Sequence, residues 1–113
     1  MAVYRPAQGD IVILNFNPQA GHEQAGRRPA LVISNSSFHR YTGLAIVCPI
    51  TNQINNYPLH VRLDGRTKTT GEILCEHIKS LDYNARNIAY VEALPDDLLS
   101  EVLDRVRMSI EGV

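Results

Sequence analysis

The chain of 113 residues has no tryptophan, and aromatic residues make up only 6% of it. Grooves that bind proline-rich peptides are walled by aromatic side chains, so a peptide adaptor is a poor fit to this composition. Cysteine is scarce as well. Cys48 and Cys75 each sit in an apolar run, and no Cys-x-x-Cys spacing occurs. Two reduced core thiols are expected rather than a structural zinc site. The four histidines, His22, His39, His60 and His77, share no ligand spacing, so no metal and no cofactor is expected. Long hydrophobic runs are missing. The longest, Ile11–Leu14 and Leu44–Ile50, fall far short of the roughly 20 residues a membrane-spanning helix needs. The first six residues contain no apolar signal region, so a cytoplasmic protein without membrane partners is expected.

Nor is there an excess of positive charge. The formal net charge is −1, which does not advertise a nucleic-acid binder, so any site for phosphates must be local. The charge is unevenly spread. Residues 22–40 hold Arg27, Arg28 and Arg40 against one acid, Glu23, whereas residues 92–104 carry five acids and no base.

What is present reads as short strands followed by one helix. Residues 11–16 are rich in β-branched side chains after Gly9-Asp10. Residues 17–27 contain Pro18, Gly21 and Gly26 and read as a long loop. A second strand is expected over Ala30–Ser34, opened by Pro29. Asn35–Gly43 reads as a polar connection with room for a helical turn. Leu44–Ile50 fits a buried central strand. Leu59–Leu63 alternates, which predicts one buried and one wet face. Asp64–Gly71 is a polar turn, and Glu72–Cys75, Ile78–Leu81 and Ala89–Glu92 are further strand candidates. Over residues 96–110, Leu98, Leu99, Val102, Leu103, Val106 and Ile110 fall on one helical face. Pro95 suits the first turn, Asp96 and Asp97 suit the positive end of the dipole, and Glu101 and Arg105 are spaced to pair. Length allows one domain over residues 1–113. The pattern predicts a compact β-rich α+β domain with a curled sheet partly covered by the helix.

Several motifs then line up in order. They are Gly9-Asp10-Ile11-Val12, Asn15-Phe16-Asn17-Pro18, the run from Gly21 to Ser34 that contains Glu23-Gln24-Ala25-Gly26-Arg27-Arg28-Pro29, and Thr42-Gly43. Cys48-Pro49-Ile50-Thr51, Tyr57-Pro58, Ile78-Lys79-Ser80-Leu81 and Pro95-Asp96-Asp97-Leu98 complete the series. This series resembles the MazF/PemK family of toxin endoribonucleases over nearly the whole chain. The resemblance implies an SH3-like curled sheet or small barrel with a C-terminal helix, used as a homodimer. It also implies metal-independent cleavage of single-stranded RNA at a short sequence, and a cognate antitoxin as partner.

Residue by residue, Arg28 matches the family's essential arginine before the proline, and Thr51 its essential threonine. Glu23 matches the glutamate of the first long loop. Asn17, His22, Gln24, Arg27, Gln53 and Lys79 are candidates for substrate contacts around them. The residue types suit the reaction. RNA carries its own nucleophile, the ribose 2′-OH, so aligning that hydroxyl with the adjacent phosphorus supplies much of the catalysis. Extra negative charge develops on the phosphate oxygens, and a guanidinium fork matches it. A threonine hydroxyl adds a donor without charge. Arginine is a poor base at neutral pH, which leaves Glu23, or His22, to take the proton. The same fold hosts toxins that poison DNA gyrase by protein binding, and that is the alternative reading.

Overall fold

The structure is a computed structural model that describes residues 4–17 and 26–112. Elements follow in the order β1 (Asp10–Asn15), β2 (Arg27–Val32), α1 (Ser36–Thr42), β3 (Leu44–Thr51), β4 (His60–Arg62), β5 (Glu72–Leu74), β6 (Lys79–Asp82), β7 (Ala89–Ala93) and α2 (Asp96–Glu111). Among the described residues the strands form one antiparallel sheet, ordered β4-β5-β3-β2-β1-β7, with β6 paired to β3 off that path.

Strand β3 organises the sheet. Along one side it pairs with β2 from Val47 to Pro49. Along the other it pairs first with β6, as far as Val47↔Lys79, and then with β5, from Ile50↔Ile73. This change of neighbour curls the sheet, and a bulge at Ile11/Val12 opposite β7 adds local twist. The two strand prolines sit where no ladder bond is needed. The bond from Ile33 N–H to Ile46 O shows that odd-numbered β2 residues face β3. Pro29 is odd-numbered, and it lies just past the last β2–β3 pair, Ala30↔Pro49. By the same parity Pro49 faces the gap between β6 and β5. A missing N–H costs little at either place.

Two cores lie on opposite faces of the sheet. One joins Ile11, Leu31, Cys48, Ile50 and Ile73 to Leu98, Val102 and Val106 of α2. The other joins Val12, Leu14, Phe16, Ala30, Val32 and Val47, with Tyr4, Tyr83 and Ile88 packed against it. Both cysteines are free and buried. Burial drives the Cys75 thiol up to about 12 and raises Cys48 further, so neither is a thiolate near neutral pH. The 64–71 turn is tied to β7, where Glu92 accepts from the Lys68 and Thr69 amides at 3.0 and 2.8 Å.

Several expectations need correction. The second strand starts at Arg27 and contains Pro29 instead of starting after it, and it stops at Val32. The polar connection is a full helix of 7 residues, capped by the Asn35 side chain on Phe38 N–H and by Gly43 at φ 70°. Pro95 is the N-cap of α2 and not part of its first turn. Ile110, assigned to the buried helix face, is 74% exposed. Arg105 does pair with Glu101, at 3.5 Å. His60, on the supposedly wet face of its strand, has a side chain only 5% exposed, because two carboxylates enclose it. No helix among the described residues is long and apolar enough to cross a membrane.

Candidate active site

Arg28 lies on β2 opposite Leu14 of β1 and is half-buried. Thr51 ends β3 opposite Glu72 of β5. The β2–β3 register pairs Val32 with Val47, Leu31 with Cys48 and Ala30 with Pro49. Carried on by two residues it sets Arg28 across from Thr51. Side chains two apart on a strand share a face, so both residues belong to the face that bears Ala30 and Val47, away from α2.

Three contacts hold Thr51 and its neighbour Asn52. Its hydroxyl oxygen accepts from Gln53 N–H at 3.2 Å, which leaves the hydroxyl proton for another acceptor. Asn52, next in the chain, takes a 2.7 Å bond from the Thr70 hydroxyl. Gly71 presses its bare backbone against the Thr51 carbonyl, where an added Cβ would come within 2.1 Å of the oxygen. Gly71 also holds φ +115°, which side-chain-bearing residues avoid.

The other candidates divide. Lys79 is half-buried, pairs with Val47 and so shares the face of Arg28 and Thr51. Val47 is four residues from Thr51 along β3, about 13 Å at the usual strand rise. Arg27 is exposed, and alternation turns it to the other face. Gln53 is exposed beside Thr51. Asn17 spends its amide oxygen on Gly26 N–H at 2.8 Å, and Phe16 N–H reaches Gly26 O at the same distance. Asn17 therefore closes the base of the long loop. Arg86 donates to the Asn17 carbonyl, which makes it a brace at that base. His22, Glu23 and Gln24 lie outside the described residues. Of the tyrosines, Tyr57 and Tyr90 are each 51% exposed and Tyr83 packs against the second core. Among the described residues no cluster of three or more His, Cys, Asp or Glu is placed to hold a metal ion.

The family model for the PemK-like, MazF-like toxin of type II toxin–antitoxin systems matches residues 7–110. The chain belongs to that family. It is similar to the endoribonuclease PemK of Escherichia coli, 36% identical over 103 residues that cover 88% of this chain and 77% of the relative. It is also similar to the crystal structure of MazF (form I) from Deinococcus radiodurans, with TM-score 0.91 and 41% identity over 98% of this chain and all of the other. A third match is the MazE–MazF crystal structure (form II) from the same organism, with TM-score 0.86 and 40% identity over 98% of this chain and 100% of that one. The resemblance and the curled sheet with its terminal helix are thereby established. These matches give the gyrase alternative no support.

The MazF-like chain also holds a polar group that reading the sequence overlooked. Glu72, 1% exposed, opens β5 directly beside Thr51. It accepts from the Asn55 and Asn56 amides, each at 3.1 Å, and meets His60 Nδ1 at 3.0 Å. The Asn55 amide foremost, then His60 and the Asn56 amide, hold its carboxyl below the usual carboxylate range, and burial opposes them. The one clue in the sequence was an acid at the head of an otherwise apolar strand.

Proposed function

We propose that this chain is a toxin endoribonuclease that cuts single-stranded RNA at a short sequence, with Arg28 and Thr51 at the reacting phosphate. The reading is supported by the β2–β3 register, which carried two residues past its last pair brings Arg28 opposite Thr51, in a chain whose family relatives are named endoribonucleases. The ribose 2′-oxygen attacks the adjacent phosphorus and the bond to the 5′-oxygen breaks, giving a 2′,3′-cyclic phosphate and a 5′-hydroxyl. Arg28 stabilises the charge that gathers on the phosphate oxygens. Thr51 donates its uncommitted hydroxyl proton to one of them. The proton leaving the 2′-OH goes to Glu23, or to His22, on the first long loop, and the departing 5′-oxygen takes up a proton. Lys79, on the same face, contacts a neighbouring phosphate. No step calls for a metal.

The same reading makes the chain a single toxin domain that works as a homodimer in the cytoplasm and is held by a cognate antitoxin. The MazE–MazF complex from Deinococcus radiodurans supports the antitoxin partner. The test is cleavage of a defined single-stranded RNA by wild type and Thr51→Ala, with chemical identification of the ends. Wild type is expected to leave 5′-hydroxyl ends and Thr51→Ala to lose about a hundredfold in kcat. Ends bearing a 5′-phosphate would exclude attack by the 2′-OH.

A further inference from the structure

Glu72 is placed beside Thr51, yet the chemistry above does not use it. Its two oxygens gather the backbone of the β3–β4 connection through the Asn55 and Asn56 amides. His60 bridges it to Glu76, with Nδ1 3.0 Å from Glu72 Oε1 and Nε2 2.8 Å from Glu76 Oε2. Each imidazole nitrogen thus meets a carboxylate oxygen. The connection is tied at both ends as well. Thr70 bonds the Asn52 side chain, and Arg105 of α2 donates to the Pro58 carbonyl at 3.1 Å. Asn56 is held at φ +53°, in the left-handed region. All the side chains of residues 52–58 are nonetheless exposed.

A buried charge is a poor source of stability, since its desolvation cost offsets most of what its bonds return. What Glu72 provides here is a fixed backbone at Asn55 and Asn56, midway along the exposed connection. That loop borders a groove of about 410 Å3, which runs from Asn52 and Ile54 to Arg62 and Thr70. Arg62 offers a guanidinium plane on which an unstacked RNA base can stack, and Ile54 an apolar surface beside it.

We propose that Glu72, held by His60, is a positioning residue that fixes the 52–58 connection, whose Asn52 and Ile54 line one side of a groove that reads an RNA base next to Thr51. The inference rests on the ribonuclease reading and names a determinant of its specificity. It is tested with wild type, Glu72→Gln, Asn56→Val and Asn56→Gly on single-stranded RNAs randomised around a cut site. Valine is strained at positive φ and glycine is not, and residue 56 is exposed, so that pair disturbs the loop without touching the core. Glu72→Gln and Asn56→Val are expected to raise KM about tenfold and broaden the preferred base on one side of the cut, with kcat within about twofold. Asn56→Gly is expected to keep the wild-type preference. In wild type the Asn55 and Asn56 amides are expected to exchange slowly with solvent. If Glu72→Gln does not fold, Asn56→Val and the amide exchange decide. Unchanged preference in Asn56→Val, or fast exchange of both amides, overturns the inference and leaves the ribonuclease reading standing. A folded wild type that cuts no RNA overturns both.

Discussion

Arg28 and Thr51 occupy matched positions on neighbouring strands, each two residues beyond Ala30↔Pro49, the last pair of the β2–β3 ladder. Pro29, between Arg28 and that last pair, has no N–H to give β3. By strand alternation the two side chains emerge on one face of the sheet. If both act on the same phosphate, their losses will not add. Arg28→Ala and Thr51→Ala are each expected to cost about 100- to 1,000-fold in kcat, and the double variant much less than the product. Single-turnover cleavage of one RNA by the four proteins measures this. Arg28→Lys is expected to recover little, since an ammonium lacks the planar fork.

Gly71 supports Thr51 from the β5 side. Gly71→Ala places a methyl group against the Thr51 carbonyl and forces a strained φ. A stability loss of about 1–3 kcal/mol is expected, read by denaturant melting. The residual folded fraction is expected to cleave more slowly than its concentration explains, because Thr51 is displaced.

Acid should weaken the fold through two carboxylates. Glu72 and Glu92 are both lowered from an ordinary value of 4.5. For Glu92, burial pulls upward and the Thr69 and Lys68 amides outweigh it. A folded-state value below the unfolded one means the stabilisation is complete above the unfolded value and disappears as pH falls through the folded one. Melting temperature is therefore expected to hold from neutral pH to about 5 and to drop below 4.5. Glu92→Gln is expected to be less stable at neutral pH and to show a shallower acid slope.

The two ends of α2 should respond differently. Val102 is fully buried, whereas Ile110 is 74% exposed. Val102→Ala is expected to cost about 1–3 kcal/mol, and Ile110→Ala less than about 0.5 kcal/mol. Urea melts of the two variants check the assignment of the last turn to solvent.

Much of this architecture was legible in the chain. The β-branched runs at Ile11 and Leu44 and the leucine and valine spacing of α2 each report a period that a half-buried element must keep. Register was not legible, because it depends on which strands meet. Pro29 read as a strand opener, since nothing local says that its N–H side faces an unpaired edge. His60 read as wet because alternation describes faces, and the two carboxylates around it come from the far side of a turn. Arg28 and Thr51 stood out through the motifs around them. Glu72 did not, since its partners are backbone amides that no motif marks.

Metal-independent RNA cleavage centred on Arg28 is tested by incubating folded, antitoxin-free protein with a long single-stranded RNA in excess EDTA and mapping every new 5′ end. Wild type is expected to cut at one short recurring sequence, and an equally folded Arg28→Ala protein to cut there about 100- to 1,000-fold more slowly. Full activity in Arg28→Ala, or no cutting by wild type until a metal is supplied, would contradict the account.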